Sequence, residues 1–205
     1  MPLHETVNLV STELDAVNTM LSGIGEAPVN SLAGQLPADV AVALNTLNET
    51  LREVQLESWH FNTEDDYPLL PDTTGEIVLP LNVVRVSLQD PDSRDVVQRG
   101  RRLYDRANHT YKFNASIRAK VSLLLPFDEL PEVFRWYVTV RSARRFQDRT
   151  VGAGDLHTFQ SNDEAMARAI AVREDSEIGR HSMAKGEAVT FLSGWRVADV
   201  LRRRP

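Results

Sequence analysis

Glu64, Asp65 and Asp66 set three carboxylates side by side. Two carboxyl groups held at the right separation can act as the acid and the base of a hydrolase. Here no aromatic cleft pattern surrounds them, and a solvated turn is the simpler reading. His4, His60, His109, His157 and His181 lack a second ligand at metal-binding spacing. There is no cysteine, which excludes a disulfide scaffold, thiolate metal sites and cysteine nucleophiles. No glycine-rich loop cradles phosphate before a helix, and no Gly-x-Ser-x-Gly elbow occurs. Ser142 and Ser193 stand in no recognisable nucleophile context. Catalytic, cofactor and metal residues are therefore all read as none, and the chain is expected not to be an enzyme. The densest functional chemistry is cationic. Arg141, Arg145 and Arg149 recur at four-residue steps with Arg144 alongside, a basic ridge suited to carboxylate partners.

The ridge lies on a predicted helix, Leu130–Gly152. Val133, Trp136, Tyr137, Val140 and Ala143 recur at three- and four-residue steps, and Phe134, Val138 and Phe146 widen the stripe. Pro131 suits the first turn, and Gly152 and Gly154 supply a stop. A preceding helix, Ala38–Trp59, carries the seam Val40, Leu44, Leu47, Leu51 and Val54; Trp59 and Phe61 close its end. Glu49, Glu53 and Glu57 repeat on it at four-residue steps. These acids are candidate partners of the arginines, within one chain or between neighbouring chains. Glu49, Glu53, Glu57, Arg141, Arg144, Arg145 and Arg149 thus form a candidate subunit interface.

An earlier helix, Ser11–Gly25, has Leu14, Val17, Leu21 and Ile24 on one stripe, and Thr12 with Asp15 at capping-box distance. A fourth is predicted from the capping pair Ser161 and Glu164 to about Ile178. Its thin face is Ala165, Ala169 and Val172, with Met166 and Ile170 beside it. From Asp65 to Phe127 turn residues crowd between short β-prone runs: 77–79, 83–88, 96–98, 102–104 and 110–113. The clearest strand is Ser116–Leu125, where Ile117, Ala119, Val121 and Leu123 alternate with Arg118, Lys120, Ser122 and Leu124.

The expected fold is α+β: a bundle of about four helices (1–64 and 128–180), an inserted antiparallel β subdomain (65–127), and an extended C-terminal arm (181–205). The chain has 205 residues, 42% hydrophobic and 25% charged, ordinary values for a chain that builds a core. Its net charge of −6 argues against a general nucleic-acid grip. No signal peptide and no membrane span are read from it. The arm holds Phe191, Leu192, Trp195, Val200 and Leu201, residue types that anchor interfaces, ahead of Arg202, Arg203 and Arg204.

Several stretches together resemble the tail tubular protein A family of short-tailed phages. ELDAVNTMLSGIGEAPV (13–29) is similar to the family's opening helix and Gly-Glu-x-Pro-Val turn. SWHFNTE (58–64) resembles its Trp-x-Phe-Asn segment, LLPD (69–72) the start of its β region, and LYDR (103–106) a later Tyr-Asp-Arg. LPEVFRWYVTVRSARRFQDRTVGA (130–153) is similar to its long helix. Order is kept from about Glu13 to Ala153, while the last forty or so residues match poorly. The resemblance implies a virion tail protein assembled in the host cytoplasm, with no cofactor. It implies a ring adaptor, a dodecamer, joining the portal to the nozzle of tail tubular protein B. Tail fibres attach near the lower junction, and DNA passes through the lumen without specific binding. The arm is then a candidate portal-docking element. Two readings compete with the adaptor: a polysaccharide- or peptidoglycan-degrading tail hydrolase using the acidic run, and a DNA-binding module using the arginines.

Overall fold

A computed structural model of the chain describes residues 11–88, 95–150 and 161–179. Helix α1 spans Glu13–Gly23. The Thr12 side chain accepts from Asp15 N while the Asp15 carboxylate accepts from Thr12 N, so the predicted capping box is present. Helix α2, Ala38–Gln55, buries Val40, Leu47, Leu51 and Val54. It stops short of the predicted Trp59, because Ser58 turns into the left-handed region at φ +63°. Trp59 then folds back: its indole N–H donates to Val54 O, and its ring stands edge-on to Phe134 with centroids 5.0 Å apart.

Helix α3, Glu132–Thr150, contacts both α1 and α2. Its buried line is Phe134, Tyr137, Val138, Ser142 and Phe146. Trp136, expected within the stripe, is 39% exposed, because the buried line lies one residue position away from the predicted one. Large side chains such as Phe134 and Phe146 at 0% exposure each contribute about 1.5–3 kcal/mol by leaving water. The start of α3 is tied to the start of α1, since Ser11 N–H donates to Glu132 and Arg135 donates to Ser11 O. A fourth helix, α4, covers residues 161–179. Its inward residues are Ala167 and Ala171, both at 0% exposure, flanked by half-buried Glu164 and Asp175. The predicted face is wrong here: Ala165, Met166, Ala169 and Val172 point outward. The inward line contains charge, and charge is invisible to an apolar-periodicity search.

The strands are β1 (Thr63–Leu69), β2 (Val83–Leu88), β3 (Val96–Arg99), β4 (Arg102–Asp105) and β5 (Ile117–Leu123). Antiparallel β1 and β2 flank β5 in one sheet; β3 and β4 form a hairpin. Gly100 at φ +61° leads the two-residue turn of that hairpin. The 77–79 run makes only a bridge, Val78 to Arg102, and Thr110 bridges Asp105. The alternation read in β5 holds through Ile117, Ala119 and Val121, which are buried while Arg118 and Lys120 are wet. These side chains join Leu69, Ile77, Leu79, Leu103 and Phe113 in a second core, separate from that of the helices. Polar clamps link the two. Gln55 at the end of α2 donates to Leu125 O at 2.9 Å and accepts from Leu125 N at 2.8 Å. Asn62 donates to both Gln55 O and Leu123 O.

Candidate functional site

The ridge arginines leave α3 towards two neighbours. Glu53 on α2 accepts hydrogen bonds from both Arg141 and Arg145. Arg149, one turn later, donates to Glu49 at 2.8 Å and to Thr46 Oγ1 at 3.2 Å. On the other flank Arg144 donates to Glu164 of α4 and to Asp148 at 3.2 Å, while Arg141 Nε stands 3.6 Å from Glu164. Arg168 of α4 reaches back over α2 to Glu57 at 2.8 Å. The result is a ladder across three helices. All seven residues singled out in the sequence stand in it.

The ladder is half sheltered. Arg141 is the most enclosed of its cations, its side chain 18% exposed beside Glu164 at 16%. Burial alone would lower the Arg141 pKa. The hydrogen bond to Tyr137 and the charges of Tyr137, Glu53 and Glu164 outweigh that and hold it above the ordinary arginine value. Arg141 therefore stays cationic throughout any working pH. Half-buried, multiply paired arginines contribute more than isolated surface pairs, and here Glu53 and Glu164 each order two partners at once. Glu164, Arg168, Asp148 and Tyr137 belong to this site and were not assigned to it from sequence. Glu164 reads as a cap in the sequence, although Arg141, Arg144, Arg145, Arg149 and Arg168 are five cations against the three acids of α2.

Above the ladder, on the α1 side, α3 and α4 leave an apolar groove of about 340 Å³, whose walls include Trp136, Val140, Ala143 and Met166. Met166 is 62% exposed, and along the same helix Val172 and Ile178 are also bare. Elsewhere Leu70 and Leu81 stand 69% and 83% exposed on turns of the β region. Such patches mark contact surfaces more often than isolated exposed leucines do.

The carboxylates Glu64, Asp65 and Asp66 lie exposed on β1 at its bulge. Asp65 pairs with Lys120 at 3.2 Å, and Asp66 carries φ +58°. Among the described residues no cluster of three or more His, Asp or Glu could hold a metal ion, and no helix is long and apolar enough to cross a membrane. The arm residues Phe191, Leu192, Trp195, Val200 and Leu201 lie outside the described residues, as do Gly152 and Gly154.

Residues 14–181 match the family model described as tail tubular protein. The chain is 25% identical over 173 residues to "Tail tubular protein A" of Klebsiella phage KP34, an alignment covering 84% of this chain and 91% of that relative.

Proposed function

The chain belongs to the tail tubular protein family, and on that premise we propose that this virion tail component is a ring-forming adaptor. About twelve copies sit below the portal and join it to the nozzle of tail tubular protein B, with tail fibres attached near the lower junction. The observation that carries this reading is the extent of the family match, which takes in the helices and sheets of the described residues. A ring needs a head-to-tail contact between two unlike faces. The apolar groove at Trp136 and Met166 is one such face, and the exposed leucines of the β region, Leu70 and Leu81, offer a second of different shape. The ladder of Arg141, Arg144, Arg145 and Arg149 with Glu49, Glu53 and Glu57 serves assembly by holding α2, α3 and α4 in register beneath the groove.

The net charge of −6 per chain gives a ring whose summed field opposes tight binding of a passing DNA duplex. Phe191, Leu192, Trp195, Val200 and Leu201 anchor the arm on the portal. Sedimentation of the chain with its cognate portal tests both statements. The full chain co-sediments, and a chain ending at Lys185 stays folded and remains free. Failure of the full chain to co-sediment overturns the adaptor reading.

A further inference from the structure

The solvent face of the three-stranded sheet carries a cleft that plays no part in the ladder or the groove. The register sets Arg85 opposite Ser122 and Ser87 opposite Lys120, so two cations and two hydroxyls share one face. Ser58 joins them from the turn between α2 and β1. These five side chains line a cleft of about 140 Å³.

Its hydroxyls are arranged as a relay that ends in a donor. Ser122 is only 3% exposed, and its hydroxyl donates to that of Ser58 at 2.8 Å. The Ser58 oxygen is thereby polarised, and its own O–H is left to donate elsewhere. Ser58 is held in this position by a backbone at φ +63°, a conformation that non-glycine residues seldom keep without cause. Opposite Ser122 on the other strand, Thr63 Oγ1 is buried and has no hydrogen-bond partner among the described residues.

Two cations line the cleft. Arg85 makes no ion pair with another described residue. Lys120 reaches Asp65 at 3.2 Å, but the two side chains are 45% and 64% exposed, and so open a pairing is readily exchanged. Arg85, Lys120, Ser58 and Ser87 all line the cleft. A carboxylate presents its two oxygens in one plane; a tetrahedral phosphate, a diester included, presents its four in different planes, two of a diester's four carrying the charge.

We propose that this cleft binds a phosphate group. Arg85 and Lys120 neutralise its charge, and Ser58 and Ser87 donate to its oxygens. Its source is the phosphodiester backbone of DNA, a clause that rests on the conduit reading above, whereas the phosphate chemistry itself does not. One phosphate contact per subunit reads no base and is compatible with DNA of any sequence.

The test uses the full chain and an Arg85→Ala/Lys120→Ala variant, both positions being solvent-facing. Isothermal titration with sodium phosphate at fixed ionic strength is expected to give one saturable site per chain, weakened at least ~10-fold in the variant with an unchanged melting temperature. Sodium glutamate is expected to give no such site. Binding of a short random duplex is expected to lose about one unit of salt slope in the variant, the value for one phosphate contact. Phosphate binding that the variant abolishes, with duplex binding unaltered, supports the site and overturns DNA as its source. Equal binding of glutamate, or no saturable phosphate site, overturns the proposal. Assembly on the portal is unaffected by this variant, so failure here is distinct from failure of the adaptor reading.

Discussion

Gly179, in the last described turn of α4, lies so close to His60 that a Cβ added to it would stand 2.8 Å from the imidazole Cε1. His60 is tethered to the same helix: its backbone N–H donates to Asp175 at 2.7 Å and its Nδ1 stands 3.4 Å from that carboxylate. The far end of α4 is thus seated on the corner where α2 turns into β1. Gly179→Ala is expected to destabilise the chain by about 1–3 kcal/mol through overpacking, read from urea midpoints. Removing the ring in Gly179→Ala/His60→Ala should recover part of that loss. Additive losses in the double variant would place the strain elsewhere.

Glu53 is the junction of the charge ladder, holding Arg141 and Arg145 together. Glu53→Ala leaves two half-sheltered guanidinium groups without their shared partner, for an expected loss of about 1–3 kcal/mol. The loss should shrink in high salt, because Glu53 itself is 44% exposed. Reversal of both cations, Arg141→Glu/Arg145→Glu, is expected to lower the thermal midpoint of the isolated chain and to impair ring assembly with it. Normal assembly by that double variant would remove the ladder from the account of the ring.

The capping box of α1 gives a pH signature. The Thr12 hydroxyl and backbone hold the Asp15 carboxyl below its ordinary value of 3.8. A carboxyl depressed in the folded state stabilises above its unfolded value and loses that contribution as pH falls through the folded one. Thr12→Ala should cost about 1 kcal/mol near neutrality. The difference between the two chains should narrow as pH drops below the ordinary aspartate range. Glu13, raised by burial and by Asp128, titrates in the opposite sense in both chains, so the difference isolates the cap.

The groove is expected to matter for association and not for folding. Met166 is 62% exposed, and Met166→Lys should leave the urea midpoint within about 0.5 kcal/mol of the parent. The same change places a charge in the proposed subunit contact and should abolish ring formation. Rings of normal mass from this variant would move the contact to another surface.

Sequence periodicity located α1, the seam of α2 and the alternation of β5, since each sets apolar residues against polar ones at a regular step. It missed β1, whose acidic run reads as a solvated turn, because TEDDYPL has no such step and its strand state comes from pairing with β5 around a bulge. It also rotated α4. The inward line of that helix runs through Glu164, Ala167, Ala171 and Asp175, and two of the four are acids whose burial depends on arginine and histidine partners remote in sequence. The arginine ridge was legible as charge; its partners required the packing of α2 and α4 around α3. The cleft at Ser58 was silent, because β2 and β5 meet only through strand register and Ser58 joins them from a turn.

The most direct measurement is the particle mass of the full chain alone and after mixing with its cognate portal ring. The adaptor account predicts a single-chain mass near 23.0 kDa in isolation and, with portal, one complex heavier by about twelve chains. A portal ring whose mass does not change when the chain is in excess would contradict it.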